Sequence, residues 1–398
     1  MSKSKKVVLS TVLLALSVGV GVAVSADPPL TDKERLGKFI FEDMNLSLNQ
    51  NQSCATCHAP GAGWTGPDAT INAHGAVYEG SKPGEFGDRK PPSSAYATQS
   101  PVLHVDEKEV FVGGNFWDGR ATGERLGSPA AEQALGPFLN PKEQALPSAA
   151  EVVTRVCASG YKDLFTEVWG DAMCDPANVD TAYDNIGYSI AAYEASPAVN
   201  AFTSKYDWSL LPGKVKLRQE ERRGLALFQT KGKCVKCHAS EGRAPLFTDY
   251  TYDNLGIPKN PENPVYDENP TFIDPGLGGF LATRTDYAAY AEANMGKHKV
   301  PTLRNVDLRL DPVTVKAYGH NGYFKTLEGI VHFYNTRDVL PRCTDNLTEA
   351  DALAANCWPT PEVAENLNTR ELGNLGLSPA EEAAIVAFLK TLSDGYMP

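Results

Sequence analysis

The chain has 398 residues, of which 42% are hydrophobic and 22% are charged, as is typical of a soluble globular protein. The length favours two domains. The formal net charge of −12 argues against nucleic acids and anionic membrane surfaces as partners, because both repel an acidic protein.

The first 26 residues have the pattern of a secretory signal peptide. Lys3, Lys5 and Lys6 precede an apolar run over residues 7–24, and small residues at the end of the run offer a cleavage site after Ala26. An uncleaved membrane anchor is the alternative, since the run is nearly long enough to span a bilayer. The serine and glycine residues within the run favour cleavage. We therefore expect an exported protein without stable membrane insertion.

Two Cys-x-x-Cys-His motifs follow, at residues 54–58 and 234–238. A helix-like segment precedes each motif, and Gly-x-x-x-Phe recurs in both segments, at 37–41 and 224–228. This weak internal repeat predicts that one small domain occurs twice. We place an N-terminal domain at residues 27–210 and a C-terminal domain at 211–398.

The motif itself indicates covalently bound haem c. Its two thiols form thioethers with the vinyl groups of haem, and the adjacent histidine ligates the iron. A zinc site or a redox dithiol is the alternative, which two copies, each followed at once by histidine, disfavour. The predicted attachment residues are Cys54, Cys57, Cys234 and Cys237. The predicted proximal iron ligands are His58 and His238.

The remaining cysteines form two close pairs, Cys157 with Cys174 and Cys343 with Cys357. In an oxidising export compartment a local disulfide in each pair is the simplest expectation. Reduced structural cysteines are the alternative, because sequence spacing does not establish the geometry of a disulfide.

The predicted regular structure is mainly α-helical with little β. A capping box from Thr31 to Glu34 begins a first helix, and Ser378, Pro379 and Glu381 begin a last one. Ile385, Phe388, Leu389 and Leu392 of the last helix fall on one face. Residues 59–100 and 256–280 are rich in glycine and proline, which predicts long ordered loops.

The distal iron ligands decide whether each haem transfers electrons or reacts, since a His/Met iron has a higher potential than a bis-His iron. The residues alone leave these ligands open. The candidates are His74, His104, His298, His320, His332, Met44, Met173, Met295 and Met397.

Three further segments complete a pattern that resembles the bacterial dihaem cytochrome c peroxidases and their MauG-like relatives. They lie at residues 116–121 (Phe-Trp-Asp-Gly-Arg-Ala), at 132–143 (from Glu-Gln-Ala-Leu to Asn-Pro-Lys-Glu) and at 300–306 (Val-Pro-Thr-Leu-Arg-Asn-Val). With the two haem motifs they occur in the family's order and cover nearly the whole mature chain. The resemblance implies two cytochrome c-like haem domains, with a peroxide-reacting haem in the first and an electron-accepting haem in the second.

The resemblance also implies distal ligands. His74 stands at the family spacing after His58, so it is expected to ligate the N-terminal haem at rest and to leave on reduction of the other haem. Met295, with His298 as its rival, is expected to ligate the C-terminal haem. MauG has a tyrosine at this second position. No tyrosine near Val300 matches it, which favours an ordinary peroxidase.

Other family roles fall on four residues of this chain. Trp117 matches a tryptophan between the haems, with a buried core residue as the alternative. Gln133 and Glu143 match polar residues of the peroxide pocket, and Pro137 matches the residue that shapes it. Glu143 is then the general acid–base and Gln133 the residue that orients peroxide.

The partners implied are hydrogen peroxide and, as electron donor, a small c-type cytochrome or a copper protein, in the periplasm. A homodimer and one calcium ion between the domains are also implied, but Lys90 stands where an asparagine ligand of calcium is expected. Two alternatives are a MauG-like enzyme that oxidises residues of a partner protein and a non-catalytic dihaem electron carrier.

Overall fold

The computed structural model of the protein describes residues 29–398. The predicted signal peptide and its cleavage after Ala26 therefore lie outside the described residues. Over residues 29–398 the chain is mainly helical, as predicted, and none of the helices there is long and apolar enough to cross a membrane.

Fourteen α-helices lie within this range. In chain order they are α1 (Asp32–Glu42), α2 (Cys54–Cys57), α3 (Ala69–Ala73), α4 (Pro129–Leu139), α5 (Ala149–Ala158), α6 (Lys162–Trp169), α7 (Val179–Ala195), α8 (Lys205–Leu210), α9 (Gln219–Gln229), α10 (Val265–Glu268), α11 (Gly276–Ala282), α12 (Leu327–Thr336), α13 (Glu349–Ala354) and α14 (Pro379–Leu389). Short 3-10 helices connect many of them.

Within residues 29–398 the strands form two antiparallel ladders of two residues each, and the remaining β contacts are isolated bridges. In one ladder β1 (His104–Val105) pairs with β2 (Phe111–Val112), and in the other β3 (Tyr252–Asp253) pairs with β4 (His298–Lys299). The expectation of little β is confirmed.

The internal repeat appears as two equivalent helix crossings. α1 packs on α7, where a Cβ atom at Gly37 would lie 1.9 Å from the backbone oxygen of Ser189. α9 packs on α14, where a Cβ atom at Gly224 would lie 1.9 Å from the backbone oxygen of Ala384. The glycine of Gly-x-x-x-Phe thus permits the same close backbone approach in both halves.

Two hydrophobic clusters form most of the core. One contains buried residues from Leu36 to Val199, including Phe41 and Tyr193, and the other contains buried residues from Tyr206 to Leu392, including Phe228 and Phe388. Each cluster is centred on one of the glycine-mediated crossings. The domain boundary between residues 210 and 211 stays a prediction.

The predicted helix starts and disulfides are confirmed. Capping boxes begin α1 at Thr31 and α14 at Ser378. Cys157 is bonded to Cys174 and Cys343 to Cys357. Residues 59–100 contain only short helical turns, as predicted, but the expectation of a loop over 256–280 is wrong at its end. There α11 begins at Gly276, whose φ of +54° and lack of a Cβ admit the close backbone of Lys297, and the single turn α10 also lies within this stretch.

Candidate functional site

The two Cys-x-x-Cys-His motifs have the same local construction. The backbone N–H of His58 donates to the carbonyl of Cys54 at 2.9 Å, and that of His238 donates to the carbonyl of Cys234 at 2.8 Å. Each imidazole Nδ1 also bonds a backbone carbonyl, that of Trp64 at 3.2 Å and that of Phe247 at 2.8 Å. These bonds fix both rings and leave Nε2 as the ligating nitrogen.

Burial controls the protonation of these ligands. It lowers the pKa of His58 to about 4 and lowers that of His238 below its ordinary value, so both imidazoles are neutral and can ligate a metal. All four motif cysteines are unpaired thiols. Burial, followed by the charge of Glu143, raises the pKa of Cys57 to about 12.

The second motif opens onto a mainly apolar cavity of about 210 Å³. Cys234, Cys237 and His238 lie on its wall together with Leu303, Val331 and other apolar side chains. Two free thiols and a histidine nitrogen on an apolar wall are the donors that a covalently attached haem requires. The residues present therefore fit haem c at this motif.

A smaller cavity of about 70 Å³ lies beside the first motif. His58, Phe116, Trp117 and Gln133 line it. The structure thus brings Gln133 and Trp117 together with His58, as the family roles require. The donor set of this motif matches that of the second, so it fits a second haem c.

One wall separates the two cavities and belongs to both. The shared residues, which we call the common wall, are Pro92, Ser93, Trp117, Lys299, Val300, Pro301 and Thr302. Trp117 is 8% exposed and donates from its indole Nε1 to the backbone oxygen of Lys90 at 2.8 Å. Its ring is therefore held in one orientation between the cavities.

Pro137 and Glu143 lie at the end of α4 and in the turn that follows it. The Glu143 carboxylate accepts a 2.7 Å hydrogen bond from the amide of Asn140. Burial raises the pKa of Glu143, while the Asn140 bond and the charge of Arg120 act against this shift. Neither residue lines the small cavity, but Glu143 is close enough to the first motif for its charge to act on Cys57.

The structure does not bring His74 together with His58. His74 follows α3 with its side chain 63% exposed, and its Nδ1 lies 2.8 Å from Oε1 of Glu262. An outward His74 is one of the two arrangements that the displacement hypothesis requires. Its role as a ligand stays a prediction.

Met295 is also apart from its expected iron. It does not line the cavity beside His238, and a Cβ atom at Gly278 of α11 would lie 2.6 Å from its sulfur. Its rival His298 does line that cavity, but its ring is stacked on His320. The structure therefore gives no support to Met295 as the distal ligand.

Tyr334 lies in the C-terminal cavity instead. It shares this wall with Leu327, Ile330 and Val331 of α12, and none of the residues in 29–398 hydrogen-bonds its hydroxyl. Burial, then the nearby thiols of the second motif, raise its pKa. Tyr334 lies outside the segment around Val300. The signal that finds it is helical spacing, because positions 327, 330, 331 and 334 share one helix face.

The calcium expectation is not supported by the residues present. Lys90 is buried, and its ammonium donates to Thr65 Oγ1 at 3.0 Å and to the backbone oxygen of Pro91 at 2.9 Å. Lys316, also buried, donates to the backbone oxygens of Ala62 and Leu308, each at 2.7 Å. Two protein ammonium groups thus occupy this region and bond its oxygen atoms, and the calcium ion stays an expectation.

The whole chain is similar to proteins of known type. The family model described as "Di-haem cytochrome c peroxidase" matches residues 31–215. The methylamine utilization protein MauG of Paracoccus denitrificans is 34% identical over 396 residues, which cover 96% of this chain and 94% of that protein. The cytochrome c551 peroxidase of Nitrosomonas europaea is 30% identical over 339 residues, 81% of this chain and 83% of that protein.

A solved structure gives the same result at the level of the fold. The diheme peroxidase BthA from Burkholderia thailandensis superposes with a TM-score of 0.77 at 29% identity, covering 93% of this chain and 88% of that chain.

Proposed function

Since the chain belongs to the di-haem cytochrome c peroxidase family and is a haem-dependent peroxidase-type oxidoreductase, we propose that it reduces hydrogen peroxide to water beside the first motif. Two electrons and two protons convert each peroxide into two waters. The observation that carries the proposal is that His58, Gln133 and Trp117 line one cavity. The family implies two haem c groups, which we assign to the two motifs, where they supply the redox chemistry when bound.

The protein contributes orientation and proton transfer. The Gln133 amide orients peroxide in the small cavity and stabilises charge that develops on its oxygens. Glu143 lies outside the lining of the small cavity, so in this proposal it acts through one intervening water: it takes the proton from one peroxide oxygen and returns it to the other as water leaves. Its raised pKa brings the carboxyl closer to the working pH, which suits a group that must both accept and release a proton.

Trp117 is the electron relay in this proposal. It borders both cavities and is fixed by its bond to Lys90, so it offers an aromatic path of constant geometry between the motifs. Electrons enter at the second motif from a small c-type cytochrome or a cupredoxin of the periplasm. A homodimer remains an expectation from the family.

Where the second motif holds a haem, Tyr334, which lines that cavity, would ligate it in preference to Met295, which does not. Tyrosine is an established type of axial haem ligand, whereas methionine raises the potential of the iron. A tyrosine there predicts a lower potential at the second motif than a His/Met pair would give. His74 retains its proposed role as a ligand of the N-terminal haem that leaves before peroxide enters.

A second candidate is the oxidation of residues of a partner protein, the MauG-like alternative. Tyr334 in the C-terminal cavity removes the main argument against it, and MauG of Paracoccus denitrificans is similar over nearly the whole chain. In this case the partner protein supplies the two electrons. A non-catalytic electron carrier is less favoured, because it has no use for Gln133 in the small cavity.

Peroxide-dependent oxidation of reduced cytochrome c by the purified dihaem protein tests the proposal. We expect turnover by the parent protein and its loss in Glu143→Gln and Gln133→Leu, with both haems retained by their absorbance. Glu151→Gln is the control, because Glu151 pairs with Arg155 on the surface. No turnover by the parent with any small cytochrome or cupredoxin would reject this function, and peroxide consumption only with a protein substrate would favour the second candidate.

A further inference from the structure

Two histidines and two carboxylates converge at one end of the C-terminal cavity. Asp274, His298, His320 and Glu362, which we call the histidine–carboxylate cluster, all lie on its wall. Oδ2 of Asp274 is 3.2 Å from Nε2 of His298 and 4.0 Å from Nε2 of His320. Oε2 of Glu362 is 3.6 Å from Nε2 of His320. The ligand atoms of Asp274, His298 and His320 all lie within 4.8 Å of one another, and Glu362 lies beside His320.

The histidine nitrogens among these ligand atoms have no hydrogen-bond partner. Nε2 of His298 and Nε2 of His320 are both buried and unpaired within residues 29–398, and the side chains are only 10% and 6% exposed. Nδ1 of His298 lies 3.1 Å from the carbonyl oxygen of Gly296, which can only accept, so the tautomer with its proton on Nδ1 donates a hydrogen bond there. The neutral ring then has a lone pair on Nε2, which faces the oxygen of Asp274. Two acceptors in contact repel each other unless a cation lies between them.

The imidazole rings themselves are in contact. The rings of His298 and His320 are stacked with centroids 3.5 Å apart and planes 8° apart. Protonating both rings would place two positive charges face to face, which is unfavourable in a buried site. Supplying both unpaired Nε2 atoms with protons would therefore cost free energy.

The charged groups around the cluster carry a net negative charge that a cation can balance. Arg89 donates to both oxygens of Asp274 and to Asp118, and Arg120 also pairs with Asp118. With neutral imidazoles, the carboxylates of Asp118, Asp274 and Glu362 exceed the two arginines by one negative charge. Each carboxylate oxygen has two lone pairs, so the Arg89 bonds do not exhaust Asp274.

Glu362 keeps one oxygen available. Its Oε1 accepts hydrogen bonds from the hydroxyl of Tyr266 and the backbone N–H of Asp274, each at 3.1 Å. These bonds orient the carboxylate, and Oε2 points to His320. Bonds of this kind, from groups just outside a ligand set, are what holds metal ligands in place.

We propose that the histidine–carboxylate cluster binds one divalent transition-metal ion, in addition to the two haem irons. Nε2 of His298, Nε2 of His320 and the carboxylate of Asp274 are the ligands already close together, and Glu362 moves toward them as the fourth ligand when the ion binds. In a tetrahedral site with bonds of about 2.1 Å, ligand atoms lie roughly 3.4 Å apart. The separations of 3.2 and 4.0 Å between Asp274 and the two histidine nitrogens bracket this value. Binding requires the parallel rings to splay so that both lone pairs meet at the ion.

Nitrogen and carboxylate ligands in equal number suit Zn²⁺ better than Ca²⁺, which prefers oxygen alone. The site is separate from peroxide chemistry in this chain, because the cluster lines the C-terminal cavity and not the small one beside His58. It also does not depend on the proposed function, since binding is measured without peroxide.

The test uses the dihaem protein, stripped with a chelator and then equilibrated with Zn²⁺. Elemental analysis should find about one zinc for every two haem irons, and anomalous diffraction at the zinc edge should place it between His298 and His320. His298→Gln and His320→Gln should each weaken zinc binding by more than about tenfold. His332→Gln is the matched control, because His332 also faces a carboxylate, Glu382, at 3.1 Å but lies outside the cluster.

Glu362→Gln serves as a second ligand variant of nearly unchanged shape, should a histidine variant lose its haem absorbance. A dihaem protein that retains no zinc, or that binds it equally well in the ligand variants and in His332→Gln, would overturn the proposal.

Discussion

The indole of Trp117 is tied to the backbone oxygen of Lys90 by a 2.8 Å hydrogen bond, and this bond orients the ring that separates the two cavities. Trp117→Phe keeps an aromatic ring but removes the hydrogen bond and the indole. We expect electron transfer from the second motif to the first to slow by about tenfold, equivalent to about 1.4 kcal/mol of activation free energy. Stopped-flow absorbance of the two haems measures it. Trp169→Phe, which loses a comparable bond to Ser189, should leave the rate unchanged; equal rates in all three proteins would remove Trp117 from the path.

The raised pKa of Glu143 predicts where activity falls on the acid side of the pH–rate profile. Its pKa is raised by burial, so the ionised base is lost on acidification at a higher pH than the ordinary 4.5. Activity should therefore fall as the pH drops through that raised value. Because the Asn140 bond lowers this pKa, Asn140→Ala should move the limb to still higher pH. A limb that stays in place in Asn140→Ala would show that another group controls it.

The distal side of the C-terminal haem can be decided by two substitutions. If Tyr334 faces the iron, Tyr334→Phe should change the visible and electron paramagnetic resonance spectra of one haem and leave the other unchanged. Met295→Leu should then change neither, since Met295 packs beside Gly278. The reverse result would restore Met295 as the ligand.

Replacing either glycine of the internal repeat by alanine should destabilise the protein. Gly37→Ala or Gly224→Ala would place a methyl group 1.9 Å from a backbone oxygen, so the paired helices must separate. We expect a loss of about 1–3 kcal/mol or more in the free energy of unfolding. Thermal unfolding of the dihaem protein reports this loss. Gly160→Ala is the control, because no atom lies within 4 Å of its Cβ position, and a similar loss there would indicate a general effect of alanine.

The lowered pKa of Lys316 predicts that the free energy of unfolding depends on pH in the neutral to alkaline range. Burial, and secondly the charge of Lys90, lower its pKa from 10.5 to about 7. Between these values the unfolded chain binds more protons than the folded one, so the free energy of unfolding rises with pH, by up to about 1.4 kcal/mol per pH unit. Below pH 7 both states are protonated and this slope vanishes.

In Lys316→Met the free energy of unfolding, measured with denaturant, should therefore rise less between pH 7 and 10. Lys90, whose pKa is also lowered, accounts for part of the pH dependence that remains. It should also be less stable at pH 7 by about 1–3 kcal/mol, because the carbonyls of Ala62 and Leu308 lose a buried donor. Lys38→Met, at an exposed position, should keep the parent slope. An unchanged slope in Lys316→Met would contradict the lowered pKa.

Local patterns could be predicted from the sequence because their causes are local. The capping boxes at Thr31 and Ser378, the two disulfides and the Gly-x-x-x-Phe repeat all depend on residues close together in the chain. The small cavity was partly predictable as well, since Trp117 and Gln133 lie in segments of recognisable pattern.

The features that were missed depend on distant segments. Tyr334 lines the cavity of the second motif because of the face that α12 turns toward it, and that orientation depends on tertiary packing. The histidine–carboxylate cluster joins strand β4 and three separate loops, and His320 carried no signal of its own. The positions of His74 and Met295 follow from the paths of long loops, which glycine and proline content does not determine.

The common wall has a consequence for engineering the chain. Residues 299–302 belong by sequence to the C-terminal half, yet they also close the cavity beside His58. An N-terminal half expressed alone would lack part of its own binding pocket. In a chimera that exchanges halves with a relative, the cavity beside His58 will be intact only if residues 299–302 come from the same parent as the N-terminal half. The two halves are therefore structurally repeated but not interchangeable.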